Sequence, residues 1–416
     1  MFIYYNVIME QRLDFLQNII KFKDKDFIKV LSGIRRCGKS TMLLLFKEYL
    51  YSINIPKLNI IYINCESLQF GNMDYIELYN YVKSKIEPTI GKVYILLDEI
   101  QKIEKWELAV NSIRVDFDSD IYITGSNAYL LSSNLATYLS GRYVEIKIQP
   151  LSFKEFIDFY PKIKDKSLEE KFDLYLKYGG MPGLQKLDFD EQTVNQALDG
   201  ILSTVIIKDV IEQAEVREPA LLRKIIRFLA DNIGNSTSVN KIKNFLISQS
   251  RKGERINSGT IDNYVLLLEN AFIFNNVERY DIKGKEYLKT QGKYYIADIG
   301  LRNSILGYRN IDRGHIIENV VYLALLRQGY KVAIGKIGNK EIDFIAEKPN
   351  EKIYIQVSET IMDKEVFERE IAPLKSVRDN YKKIILTTDR MFSNTDQDGI
   401  LIVNIIDWLL NFNKNW

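Results

Sequence analysis

The stretch Gly33-Ile34-Arg35-Arg36-Cys37-Gly38-Lys39-Ser40 places two glycines, a lysine and a hydroxyl at the spacing G-x-x-x-x-G-K-S. Glycines at these positions permit backbone dihedrals that a side chain would block. The chain can then curl its N–H groups around phosphate oxygens, and a helix N-terminus adds partial positive charge. Lys39 would reach the β- and γ-phosphates, and Ser40 would ligate Mg²⁺. The spacing becomes a site only between a strand and a helix. Here "FIKVLS" precedes it and the apolar "MLLLF" follows it. The expected ligand is a nucleoside triphosphate with Mg²⁺, bound by Gly33, Arg35, Arg36, Cys37, Gly38, Lys39, Ser40 and Thr41. Arg35 and Arg36 are either solvated charge or contacts to phosphate or to a neighbouring subunit. Cys37 is either a redox handle in an electropositive loop or a residue merely tolerated there, and we favour the second.

A second acidic signal lies downstream. "VYILLDEI" is an apolar strand ending in two acids. Asp98 at its C-terminal edge would hold Mg²⁺ through water, and Glu99 would polarise the attacking water. "YITGSNA" ends another strand in polar residues, so Ser126 or Asn127 would touch the γ-phosphate or orient water. "LSGRY" places Arg142 before the next strand, either as a finger across a subunit boundary or as a structural ion-pair partner. The catalytic set expected is Lys39, Asp98, Glu99 and Arg142, with Ser40 and Asp98 as the metal ligands.

These residues need a scaffold that holds strand ends side by side. Residues 1–150 supply one: β-branched runs alternate with helical segments, the pattern of an α/β domain with a mainly parallel sheet. The strands expected are "FIKVLS", "LNIIYIN", "KVYILLD", "DIYITG" and "YVEIKI". Residues 151–215 read as helical, interrupted by the turn "YGGMPG". Residues 216–304 read as three helices and a β-hairpin, a winged-helix unit. Residues 305–416 read as a second α/β domain with the strands "KVAIGKI", "EIDFIAE", "KIYIQVS", "KKIILTT" and "ILIVNI".

Composition narrows the function classes. Lys+Arg total 57 and Asp+Glu 55, so no global charge imposes nucleic-acid or membrane binding. Two cysteines, Cys37 and Cys65, lack CxxC spacing, and the single histidine, His315, excludes multi-His metal centres. No apolar run approaches the about 20 residues that span a bilayer, and the N-terminus lacks the features of a signal peptide. A cytoplasmic protein with no membrane partner is expected.

The combination "SGIRRCGKST", "LLDEIQKIEKWE", "ITGSNAYLL", "SGRYVEIKIQPLSFKEF", "YGGMPG" and "KYYIADIGLRN" resembles the AAA-type ATPase family of archaea and bacteria that carries a C-terminal domain of unknown function with a nuclease-like fold. The resemblance spans nearly the whole chain. It implies a P-loop sheet in which the strand ending at Gly125 lies between the loop strand and the Asp98 strand; the helical residues 151–215 that follow are read as a lid. It also implies Asp98, Glu99 and Arg142 as ATPase residues. Gln101 and Trp106 match its pattern, Trp106 more simply as a core residue. The family tends to have a second serine where this chain has Asn127, so the sensor is either Ser126 or Asn127. No guanine-reading N-K-x-D stretch occurs, which together with the resemblance favours ATP.

The last two regions raise the question of a partner. Residues 241–255 hold five basic residues and one acid, and residues 281–293 hold four lysines, two acids and Tyr287. Basic charge on a winged helix suggests DNA-backbone contact, yet the third helix offers Ser258, Thr260, Asp262 and Asn263 rather than arginines. The C-terminal region resembles restriction-endonuclease-like folds. Glu318 and Asp343 fit two of the metal-binding positions, but Gln356-Val357-Ser358 replaces the required E-x-K. An amide and a hydroxyl do not replace a carboxylate ligand and a cation, so nuclease activity is not expected. Two functions compete: an Mg²⁺-dependent ATPase whose turnover drives or switches its C-terminal modules on DNA, and a slow nucleotide-dependent switch acting on a protein partner. A finger in trans would imply a homo-oligomer.

Overall fold

The computed structural model describes residues 12–86, 91–125, 139, 141–187, 189–212, 216–249, 256–392 and 395–412. The chain divides into two compact units. The first is Met1–Pro150 with Asn270–Phe272, and the second is Leu151–Glu269 with Ile273–Trp416.

The first unit is built on a parallel sheet of β1 (Ile28–Ser32), β2 (Ile60–Asn64), β3 (Val93–Asp98), β4 (Ser119–Thr124) and β5 (Tyr143–Lys147), in the order β2-β3-β4-β1-β5. Strand β4 therefore lies between the loop strand and the Asp98 strand, as the resemblance implies. β1 and β3 are buried along their whole length, because helices cover both faces of a parallel sheet. This is why their sequences run apolar instead of alternating. The helix Lys39–Ser52 buries Met42, Leu43, Leu45 and Phe46 completely. Each such side chain contributes roughly 1.5–3 kcal/mol by leaving water, so the helix behind the loop is anchored by its own apolar stripe. Trp106 opens the helix Trp106–Asp116 and belongs to the core.

The second unit begins with helices. Phe153–Phe159 and Leu168–Tyr178 each start with a reciprocal serine–glutamate cap, Ser152 with Glu155 and Ser167 with Glu170. Glu191–Thr204 runs on into a π-helical turn, Val205–Ile211. The helices Pro219–Asp231, Val239–Ser248 and Ser258–Asn270 follow. The strands are β6 (Ser236–Thr237), β7 (Phe274–Asp281), β8 (Glu286–Ile296), β9 (Lys331–Ile337), β10 (Lys340–Lys348), β11 (Glu351–Ser358), β12 (Lys382–Thr387), β13 (Thr395–Gln397) and β14 (Ile400–Asn404).

All nine form one sheet in the order β13-β14-β12-β11-β10-β9-β7-β8-β6. The hairpin β7–β8 is thus continuous with the C-terminal strands. The seam is a parallel pairing of β7 with β9, with Tyr280 opposite Gly335. Two of the sequence motifs meet in this unit. Asp298, in "IADIGLRN", accepts hydrogen bonds from the N–H of Gly180 (2.7 Å), in "YGGMPG", and of Leu301 (3.2 Å). Asn303 donates to the carbonyls of Leu176 and Lys177. A Cβ at Gly179 would lie 2.3 Å from Asp298 Oδ1, and one at Gly300 would lie 2.1 Å from the Tyr178 carbonyl. These glycines are there because backbone and carboxylate approach too closely for any side chain. Among the described residues no helix is long and apolar enough to cross a membrane.

Candidate nucleotide site

β1 ends at Ser32, and the loop from Gly33 leads directly into the helix Lys39–Ser52, whose first turn begins after Gly38. Gly33 has φ 138° and Gly38 has φ 105°, values that favour glycine. A Cβ at Gly33 would lie 2.1 Å from the carbonyl oxygen of Ile148, so the loop packs against the end of β5. Lys39 is buried and donates to the carbonyls of Gly33 (2.8 Å) and Ile34 (3.1 Å). The ammonium thus bridges the loop's own backbone. Cys37 is buried, and its thiol donates to the Ile148 carbonyl at 3.2 Å, a packing role in keeping with the simpler of its two readings. Arg36 is exposed, and its φ of 66° makes it the non-glycine left-handed residue of the loop.

Asp98 is the last residue of β3 and is almost wholly buried. Ser40 Oγ donates to its Oδ1 at 3.0 Å, Tyr62 Oη donates to its Oδ2 at 3.2 Å, and Thr124 Oγ1 also donates to Oδ1. Burial pushes its carboxyl above the usual aspartate range; the hydroxyls of Thr124 and Ser40 oppose that shift, and the charge of Glu99 adds to it. Glu99 follows with φ 53°, and its N–H donates to Thr124 Oγ1 at 3.0 Å. Gln101 Nε2 donates to Glu99 Oε2 at 2.6 Å, which fixes the direction of the carboxylate. A left-handed glutamate held by two neighbours is a strained arrangement of the kind found where geometry serves chemistry.

The structure therefore brings Lys39, Ser40, Asp98 and Glu99 to one edge of the sheet, at the C-terminal ends of β1 and β3. It adds two residues that spacing did not single out. Thr124, the last residue of β4, links Asp98 to Glu99, and Tyr62 comes from β2. Ser126 and Asn127 lie outside the described residues. Arg142 stands apart: its carbonyl accepts from Ile28 at the start of β1, and its Nη1 donates to Asn111 at 3.3 Å. It is exposed at the N-terminal edge of the sheet, the end opposite the loop.

The second unit holds another set of acids. Lys293 Nζ lies 3.0 Å from Glu318 Oε1, 3.0 Å from Glu341 Oε1 and 3.6 Å from Asp343 Oδ1, and Lys293 is only 4% exposed. Tyr295 donates to Glu318 at 2.6 Å, the Val357 N–H to Asp343 at 2.9 Å, and Gln356 Nε2 to Glu370 at 2.8 Å. Burial pushes Glu318 up, but Lys293 and its hydrogen bonds outweigh that and hold it low. Burial, then repulsion from Glu318, pushes Asp343 up. One sequence expectation is corrected here. The charge pattern places Lys293 among the basic hairpin residues available to DNA, whereas the structure encloses it with three carboxylates. His315 lies in the first turn of the helix Arg313–Arg327, half exposed, with Nδ1 3.8 Å from Glu318. Among the described residues no group of three or more His, Cys, Asp or Glu is placed to hold a metal ion.

Comparison with known proteins agrees with the first unit's geometry. Residues 25–157 match a family model described as an AAA domain, and residues 169–312 match a domain of unknown function (DUF8612). The first unit is thus a P-loop domain of the AAA ATPase type. A Haemophilus influenzae protein named as uncharacterized is 43% identical over 410 residues, covering 97% of this chain and 99% of its own. The chain belongs to the same family as that protein. A Methanocaldococcus jannaschii protein, also named as uncharacterized, is 29% identical over 408 residues, covering 92% of this chain and 88% of its own. Among solved structures, the Aeropyrum pernix ORC1 protein in complex with DNA aligns at 15% identity and TM-score 0.30, covering 73% of this chain and 94% of that one.

Proposed function

We propose that this chain binds ATP with Mg²⁺ at the loop Gly33–Ser40 and hydrolyses it. The observation that carries the reading is the 3.0 Å contact between Ser40 and Asp98. It joins the hydroxyl after the loop lysine to an acid at the end of the strand beyond β4. Ser40 and Asp98 are the residues that would hold Mg²⁺, one directly and one through water, and the ion would neutralise charge on the β- and γ-phosphates. Their oxygen-only chemistry fits that ion. Lys39 exchanges its loop carbonyls for phosphate oxygens. Glu99, oriented by Gln101, polarises the attacking water, and Ser126 or Asn127 senses the γ-phosphate. Arg142 sits at the far end of its own sheet, so we assign it to the nucleotide of a neighbouring copy, which makes the active form a homo-oligomer.

Turnover then drives or switches the second unit. In that unit we read residues 151–215 as a helical lid, 216–304 as a winged helix and 305–416 as a restriction-endonuclease-like region sharing its sheet with the wing. We propose DNA as the partner, met by the exposed Lys283 and Lys285 at the hairpin tip. Lys241 and Lys243 lie on the helix Val239–Ser248. Cleavage of DNA is not part of the reading. Gln356 and Ser358 occupy the E-x-K slot, and Lys293 already places a cation among the acids that would hold metal. The test is steady-state ATP hydrolysis with and without duplex DNA. Stimulation that Lys283→Glu with Lys285→Glu removes supports the reading. Hydrolysis indifferent to DNA rejects the DNA partner and favours a protein-directed switch. No hydrolysis by the wild-type chain rejects the enzyme.

A further inference from the structure

The residue just before the first described helix, Leu13–Lys21, is only 2% exposed although it is an arginine. Arg12 Nη1 donates to the carbonyl oxygen of Cys37 at 2.9 Å, and Nη2 donates to the carbonyl oxygen of Gln149 at 2.7 Å. Its guanidinium lies 4.7 Å from the centre of the Phe15 ring. Phe15, Leu16 and Ile19 are buried, and their helix packs on Lys39–Ser52, the helix that the phosphate loop opens. The arginine is therefore delivered from a fixed platform, and its fork spans two backbone segments far apart in sequence.

The Cys37 carbonyl belongs to the peptide plane that contains the Gly38 N–H. In a trans peptide the two point in opposite directions. Holding the carbonyl on one side of the loop turns the Gly38 N–H to the other. A loop that binds phosphate through backbone N–H groups needs that orientation before the ligand arrives. Gly38, at φ 105°, can rotate more freely than any other residue type, so this peptide needs an external hold. The Cys37 thiol and the Cβ-less Gly33 both rest on the Ile148 carbonyl. Arg12 adds Gln149 and so ties the loop to the end of β5 at consecutive residues.

We infer that Arg12 is a positioning residue of the phosphate loop, which aims the Gly38 N–H at the phosphates by fixing the Cys37–Gly38 peptide. The inference rests on reading the loop as an ATP site. A guanidinium is required because it is always charged and presents several donors in a rigid fork, whereas an ammonium reaches one carbonyl well and the other poorly.

The test compares the full chain carrying Arg12→Gln, Arg12→Lys and Lys39→Ala, all in a Cys65→Ala background so that thiol labelling reports Cys37. Two quantities are read: the Kd for Mg·ATP, and the rate at which a maleimide labels Cys37 without nucleotide. Arg12→Gln should raise the Kd by about tenfold or more and speed the labelling. Turnover at saturating ATP should stay within about threefold of the background protein, because the chemistry at Glu99 is untouched. Arg12→Lys should fall between the two on both measures, and it keeps the test decisive if Arg12→Gln does not fold. Tight ATP binding by the background protein with an unchanged Kd in the folded Arg12 variants overturns the inference alone. If the background protein and Lys39→Ala are equally unable to bind ATP, the phosphate-loop reading falls and takes the inference with it.

Discussion

Asp98 and Asp343 are both buried aspartates on strands, each approached by side chains from several elements, yet their surroundings differ in kind. Asp98 accepts from the hydroxyls of Ser40, Thr124 and Tyr62. Asp343 shares an ammonium, Lys293, with Glu318 and Glu341. Hydroxyls carry no charge to offset a carboxylate in a low-dielectric site, so Asp98 keeps its demand for a cation. In the second cluster the protein itself supplies one cation, Lys293, shared by three carboxylates. Carboxylates alone therefore do not say where a metal goes; what matters is whether the fold has already supplied the positive charge.

The largest effect expected on this contrast comes from the loop. Lys39→Ala should abolish ATP binding and hydrolysis, read by calorimetry and phosphate release, and unchanged turnover would remove the site. Glu99→Gln should bind ATP as the wild type does but hydrolyse it about 10²–10⁴-fold more slowly, the usual contribution of a positioned base. On the other side of the comparison, Lys293→Met should cost the second unit about 3–5 kcal/mol in denaturant unfolding, because it leaves buried carboxylates unpaired. A loss below about 1 kcal/mol would place the cluster in the weak surface class. The smallest effect is a pH dependence. Burial pushes Asp298 up to about 6, against the hydrogen bonds from Gly180 and Leu301. A pKa raised on folding means the native state holds the proton more tightly. This group's contribution to stability is then full below about pH 3 and falls by about 2–3 kcal/mol as pH rises to 7. Asp298→Asn should lack that slope, so that the difference in stability between wild type and variant changes by this amount over the range, and an identical slope in both would refute the assignment.

The loop and the Asp98–Glu99 pair were legible because their chemistry is written in contiguous residues. Gly33 to Ser40 and the end of "VYILLDE" need only the strand and helix beside them. The individual strands were legible for a similar reason: apolar runs such as "KVAIGKI" coincide with β9. What spacing could not show was side-chain traffic between distant segments. Arg12 reaches residues 25 and 137 positions away, and an arginine before an amphipathic helix carries no signal of it. Lys293 read as one of four hairpin lysines, because charge counting cannot tell an exposed ammonium from one enclosed by acids. The β7–β9 seam was hidden as well, since a parallel pairing leaves no turn between its strands. Thr124 was within reach of the reading: it ends the strand "YIT", but a threonine at a strand end is ordinary until its neighbour proves to be Asp98.

The edge formed by Lys39, Ser40, Asp98 and Glu99 is proposed to hydrolyse ATP. This proposal is tested most directly by single-turnover hydrolysis of radiolabelled ATP by the wild-type chain and Glu99→Gln in Mg²⁺, with bound nucleotide measured on the same samples. Both proteins should retain ATP, and the wild type alone should convert it to ADP and phosphate on the assay's timescale. Equal conversion by the two proteins, or no retention of ATP by the wild type, would contradict the proposal.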